Sequence, residues 1–440
     1  MSPESSSAFS LTRRVQAMLE VEAALAAALA DGGVIPASSV APIVAAARVE
    51  YYDLPALEQA AESAGNLLIP LVDALRQRVA ENAVLAAGHV HCGATSQDVI
   101  DTATVLLLRA AAPAILASLD RAIDGAGQLA RRHAATPMAG RTWLQQATPI
   151  SFGVKAAGWL DGVASARRHL AAAIDDALVV QFGGATGTLA ALGPAGPPVT
   201  TAFAARLGLR VPALPWHTER GRVVHVACAF GVACGALGKV ARDVALLAQT
   251  EVGEVAEPAA PGRGGSSSMP HKRNPVGSAV ALAAAVRAPG LVATMLAAMP
   301  QEHERAIGGW QAEWDTLPTL VDLTARSAAA MGEVLPGLVV HEDRMRRNLD
   351  ADGGVARAEG LVAALAPHLG HGEARVVVER LCANALARGG ALADEASGEP
   401  RIAALLDSTA VAQALSPAAL AGSSLSFVDA VLQHWSRPER

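Results

Sequence analysis

Between Arg222 and Glu257 the chain runs without a proline. Apolar side chains recur there at Val226, Phe230, Ala233, Leu237, Val240, Val244 and Leu247, spaced 4, 3, 4, 3, 4 and 3 residues apart. Alternating threes and fours keep one stripe of a helix apolar along its length, the seam of left-handed helix bundling. A helix over the whole stretch would be roughly 50 Å long, far beyond the usual globular helix. A rod of that length needs other rods to cover it. Further helical stretches are expected from about Ile100 to Arg132 (with Pro113 inside) and from about Ile150 to Leu178. A fourth follows Pro275, where Pro289-Gly290 should kink it. The composition, 52% hydrophobic but only 3% aromatic, suits helices packed closely through alanine. Strand signals are almost absent, so the expected class is all-α. Helices this long and apolar on several faces also suggest that copies of the chain pack on one another.

Coarse boundaries fall near residues 100 and 341. They give an N-terminal helical domain (1–100), a central long-helix bundle (101–341) and a C-terminal domain of shorter helices (342–440), with turn signals at 350–354 and 387–400. The net charge of −6 and the scattered basic residues speak against a nucleic-acid partner. Cys92, Cys228, Cys234 and Cys382 form no CxxC pair and no disulfide framework, which fits a reduced, cytoplasmic setting. The first ten residues lack the basic and apolar regions of a signal peptide. Every long apolar run carries charges or breakers, so no membrane span is expected.

The helices are joined by polar, breaker-rich segments: HVHCGATSQD (89–98), GRTWLQQATP (140–149), FGGATGTLAALGPAGPP (182–198), PWHTERGR (215–222) and GGSSSMPHKRNP (264–275). In the last, Gly-Gly-Ser-Ser-Ser offers backbone N–H groups and hydroxyls, Met269-Pro270 stiffens the path, and His271-Lys272-Arg273 concentrates positive charge. It reads either as a solvated linker or as a lid over an anionic substrate. Nucleotide-binding glycine motifs, HExxH and GxSxG are all missing. QEHER (301–305) offers one histidine without a partner at helical spacing, so no metal is expected. Taken singly, Thr95 and Ser96 could cap a helix starting near Asp98, His91 could be structural, Trp143 could be packing, and Lys272 and Arg273 could be solvated.

In combination these segments point further. GSSSMPHKRNP (265–275) is similar to GSSxMPxKxNP, the signature of the fumarase/aspartase superfamily, at every fixed position. HCGATSQD, GRTWLQQATP and GGATGT (183–188) resemble that family's other segments, so the likeness covers essentially the whole chain. It implies three domains, a central five-helix bundle, and a homotetramer with a twenty-helix core and active sites built from three subunits. By position, Ser266 matches the serine that exchanges the proton alpha to a carboxylate. Lys272 and Asn274 match carboxylate and oxyanion contacts, and Thr95, Ser96 and Thr142 match substrate-binding hydroxyls, with Gln145 beside them. His91 and Arg305 match a histidine and an arginine of the fumarate-releasing adenylosuccinate lyases.

The departures are as informative as the matches. Where these lyases carry a histidine after the threonine the chain has Trp143, and seven residues after Lys272, where they carry glutamate, it has Ala279. Five and nine residues after Arg305 stand Trp310 and Trp314 in place of serine and arginine. Both halves of the family's acid pair are therefore missing. Expelling an amine needs a proton donor, whereas a carboxylate, with a parent pKa of roughly 4, leaves or attacks without one. The resemblance then implies an intramolecular lyase, a cycloisomerase acting on a small unsaturated tricarboxylate. One carboxylate adds to a conjugated alkene and Ser266 protonates the alpha carbon, without cofactor or metal. Lys272, Arg305 and His217 would hold the carboxylates, Trp143 would wall the planar diene, and His91 would orient a carboxylate or shuttle protons. A fumarate-releasing lyase and a non-catalytic homologue of the same fold are the alternatives.

Overall fold

The computed structural model describes residues 7–262 and 264–436. Helices make up nearly all of the regular structure, so the all-α expectation holds. The five longest are α1 (Ser96–Arg132), α2 (Phe152–Ala177), α3 (Gly221–Leu247), α4 (Val276–Ala298) and α5 (Gly309–Val334). All seven seam residues of α3 are buried. Covering a Val, Leu or Phe side chain contributes about 1.5–3 kcal/mol, which makes this stripe a dominant local term.

α3 is shorter than the proline-free stretch suggested: its 27 residues span about 40 Å. It stops where the seam does, because Glu251 and Glu254 occupy the next positions of the 3–4 repeat. Gly253, at φ 58°, then turns the chain back so that the Glu254 amide donates to the Leu247 carbonyl at 2.8 Å. The chain continues as β3 (Val255–Ala256), paired antiparallel with β4 (Val339–Val340). α4 continues through Pro289, as α1 does through Pro113.

The segment 140–149, read only as a polar, breaker-rich connection, lies in a strand pair. β1 (Pro137–Thr142) and β2 (Gln145–Ser151) form a hairpin closed by the pair Thr142–Gln145. The turn residues, Trp143 and Leu144, lie at φ 54° and 64°, the type I′ arrangement that normally demands Asn-Gly. A tryptophan and a leucine gave no turn signal.

The chain divides into two compact units, and each of the five helices contributes residues to both. The first takes in residues up to Ala117, Arg168–Cys234 and Ala285–Ala325. Its helix Leu11–Asp31 buries Val15, Leu19, Leu25 and Leu29, and Phe182 meets Phe203 edge-on at 5.5 Å. The second holds Ser118–Arg167, Gly235–Ala284 and the chain from Arg326 onward. There Phe152 stacks edge-on with His133 and Trp159, and the short C-terminal helices enclose their own core around Leu361, Leu365, Val377, Leu381 and Leu392.

The reading that no run could span a bilayer also needs correction. By length and composition alone α1, α3 and α4 qualify. In α1 and α3 most of the apolar window, 67% and 61%, is buried within the chain, but in α4 only 22% is.

Candidate active site

The first unit gathers polar groups around the start of α1. Asp98 is the hub. Its carboxylate, 1% exposed, accepts from the amides of Thr95 (3.0 Å), Gly183 (2.9 Å) and Gly184 (2.9 Å) and from His217 Nε2 at 2.7 Å. A carboxylate only accepts, so the His217 imidazole donates from Nε2 and its tautomer is set. The His217 ring lies flush against Gly183, where a β-carbon would stand 2.8 Å from Cε1. The glycine is what lets the loop 183–188 approach.

Asp98 also supplies the helix cap. With Thr95 at the N-cap, its side chain reaches back to the Thr95 amide, one half of a capping box. The cap expected from the Thr95 or Ser96 hydroxyl is thus made by the aspartate. This leaves Thr95 Oγ1 to accept from Arg305 Nη1 at 2.6 Å, while Ser96 occupies the first turn of α1, half-buried. Arg305 Nε is buried with no partner among the described residues. Burial pulls the Arg305 pKa below its ordinary value, against the pull of Asp98 and Asp101. A guanidinium with an unused buried donor is a ready contact for an anion.

A second imidazole–carboxylate pair stands nearby in sequence. His91, at φ 63°, places Nδ1 2.6 Å from Oε1 of Glu22, itself 1% exposed. Burial would lower the His91 pKa, but the charge and hydrogen bond of Glu22, with Asp98 adding to them, carry it above its ordinary value. Next along α1, Asp101 accepts two bonds from Arg220 and one from Trp310 Nε1, and Arg220 also forks onto Glu313. Trp310 and Trp314 meet edge-on at 4.8 Å. Thr95 and His217 are therefore held by Asp98, Arg305 is joined to that group through the Thr95 hydroxyl, and His91 is held separately by Glu22; sequence reasoning singled out neither carboxylate as a partner. Asp98 had a signal, the Thr-x-x-Asp spacing before an apolar run. Glu22 had a subtler one, a carboxylate in the apolar stripe that runs Met18, Leu19, Leu25, Ala26.

The second unit carries the other candidates on two exposed elements. Thr142, Trp143 and Gln145 sit at the hairpin tip, with Trp143 96% exposed. Each bulky residue at positive φ stores about 1–3 kcal/mol of backbone strain, which typically marks a functional position. The signature loop is pinched at its neck, where the Asn274 amide donates to the Gly264 carbonyl at 2.8 Å. Gly264 is at φ 70°, and a β-carbon there would lie 2.6 Å from the Asn274 carbonyl oxygen. The Asn274 side chain donates to the Gly265 carbonyl.

Inside the loop, Ser266 Oγ accepts from the amides of Met269 (3.2 Å) and Ser268 (3.4 Å). Two N–H groups aimed at one hydroxyl oxygen favour its charged form. Lys272 and Arg273 are exposed and line a groove of about 360 Å³ with Gly265 and Pro270. Past the loop, the Glu257 carboxylate accepts from the amides of Gly277 and Ser278 and caps α4.

In the first unit two fixed imidazoles and a guanidinium with an unused buried donor, and in the second a serine oxygen facing two amides, are each of a kind that serves elimination and addition chemistry at a carbon beside a carboxylate. The sequence profile of the lyase family matches residues 1–290, and the chain belongs to that family, within the fumarase/aspartase superfamily. A 3-carboxy-cis,cis-muconate cycloisomerase of Pseudomonas aeruginosa is 50% identical over 424 residues, covering 96% of this chain and 92% of the relative. The crystal structure of 3-carboxy-cis,cis-muconate lactonizing enzyme from Pseudomonas putida superposes with a TM-score of 0.92 at 45% identity, covering 96% and 95% of the two chains. A nitrosuccinate lyase of Streptomyces davaonensis is 44% identical, covering 94% of this chain and 89% of the relative.

Proposed function

We propose that the chain converts 3-carboxy-cis,cis-muconate to 4-carboxymuconolactone, a step of protocatechuate breakdown in the beta-ketoadipate pathway. The observation that carries this reading is the pair Trp143 and Ala279, two side chains with no acid to offer at the positions of the family's acid pair. One substrate carboxylate adds its oxygen to the conjugated alkene, and the displaced π electrons pass to the neighbouring carboxylate as an aci-carboxylate. The Ser266 hydroxyl then gives its proton to the alpha carbon, and the resulting alkoxide is held by the amides of Ser268 and Met269 until it is reprotonated. The reaction is redox-neutral and needs no cofactor. Lys272 and Asn274 meet the developing charge. Arg305, His217 and the hydroxyls of Thr95, Ser96 and Thr142 hold the carboxylates, with Gln145 beside them. His91 orients one of them, and Trp143 lies against the diene.

The family's arrangement completes the proposal: three domains divided near residues 100 and 341, a five-helix bundle, and a cytoplasmic homotetramer with sites shared among three subunits. In support, α4 carries Arg287 as its one charged residue and is little covered by its own chain, with Val286 and Leu296 exposed. We assign that surface to other copies of the chain rather than to lipid. Purified protein mixed with 3-carboxy-cis,cis-muconate should abolish the ultraviolet diene absorbance without added cofactor and without releasing fumarate. An unchanged spectrum, with fumarate released from an adenylosuccinate-like adduct instead, would replace this function with the alternative lyase.

A further inference from the structure

We infer that Arg141, Glu254 and Asn348 form a clamp that positions Trp143 for the reaction, an assignment that rests on the reading of Trp143 as substrate-facing. A two-residue turn with Asn-Gly holds its own geometry, but Trp143-Leu144 at positive φ does not. Something below the tip must hold it. Arg141 and Gln146 face each other in register one rung down, and each is tied to one member of a hydrogen-bonded pair, Glu254 and Asn348. Arg141 forks onto Glu254, with Nη1 2.9 Å from Oε2 and Nη2 2.7 Å from Oε1. Asn348 Nδ2 donates to the same Oε1 at 2.8 Å, and Gln146 Nε2 donates to the Asn348 carbonyl at 3.0 Å.

Glu254 is wholly buried and fixed in turn by its backbone: its amide donates to the Leu247 carbonyl and its carbonyl accepts from the His341 amide. A β-bulge opposite Ala139 and Gly140 re-aims the outer rungs just below. A buried ion pair of this kind is weak as a source of stability and strong as a source of geometry. The planar fork of Arg141 sets the angle of the rung as well as its place. The chain thus combines a strained, exposed tip with a buried charge pair beneath it, an arrangement that a self-supporting turn would make unnecessary.

Glu254→Gln in the full-length protein labelled with 5-fluorotryptophan tests the clamp. The fluorine resonance of Trp143, identified by its loss in Trp143→Phe, should shift or broaden while the remaining tryptophan resonances stay in place. With 3-carboxy-cis,cis-muconate, kcat should fall about 10- to 100-fold, the usual effect of a small misplacement at a reacting site. Arg141→Lys, which keeps the charge and loses the fork, should do the same. In a Trp143→Ala background Glu254→Gln should cost nothing further. An unmoved Trp143 resonance, or an equal loss of kcat with and without Trp143, overturns the clamp. Normal turnover by Trp143→Ala removes the substrate-facing role, and with it the catalytic use of the clamp. In that case the fluorine shift still reports whether the clamp holds the tip.

Discussion

The Asp98 cluster and the hairpin tip solve opposite problems. At Asp98 four donors converge on one buried carboxylate, His217 is fixed through it, and Arg305 is fixed to the neighbouring Thr95 hydroxyl. At the tip, strained residues stand exposed and the support lies a rung away. Under the proposed function, the contrast separates two ways of presenting a reactive surface. Charged groups gain from burial and full hydrogen bonding, because a low dielectric strengthens each contact. A flat apolar wall has no hydrogen bonds to organise it, so its place is dictated by backbone geometry. The signature loop lies between these extremes, exposed like the tip yet with Ser266 Oγ already facing two amides.

The sharpest way to break this contrast is Ser266→Ala. If the loop's purpose is proton transfer, kcat should drop by about 10²–10⁴-fold while the assembly survives, as read by steady-state kinetics and light scattering. Next in size, Asp98→Ala should destabilise the fold by about 3–5 kcal/mol, since it strands buried donors and an imidazole. A chemical denaturation midpoint would show it, and a midpoint equal to wild type would mean that the cluster is not the rigid half of the comparison. Replacing the tip by Trp143→Asn with Leu144→Gly should do the reverse. It relieves about 1–3 kcal/mol per strained residue, so the midpoint should not fall, while kcat/KM drops.

The smallest effect concerns pH. The folded state raises the His91 pKa, so the His91–Glu22 contact contributes fully below the unfolded value of about 6.5 and loses that contribution as pH climbs through the folded value. The gap in unfolding midpoint between wild type and Glu22→Gln should therefore narrow from pH 6 to pH 9. A gap that widens would contradict the assignment.

Much of this was legible in the residues. The 3–4 spacing marked α3, and its end at Leu247 was written in the same spacing, which meets Glu251 and Glu254 next; the proline-free criterion overshot because a helix ends where its covered stripe ends. The loop at 264–275 was legible because its glycines, serines and charges sit against an alanine-rich background. The hairpin was not, since Trp143-Leu144 replaces the turn residues that announce one. Nor were Arg141, Glu254 and Asn348, which lie more than a hundred positions apart in part and meet only through the turn after α3.

The central claim is that Ser266 delivers a proton to the alpha carbon in a ring closure that expels nothing. Proton NMR of the reaction in deuterium oxide tests it most directly. The expected product is a lactone carrying a single deuteron alpha to the carboxylate, with no fumarate signal and no product within the same time from Ser266→Ala. Fumarate in the spectrum, or labelled lactone formed at the normal rate by Ser266→Ala, would contradict it.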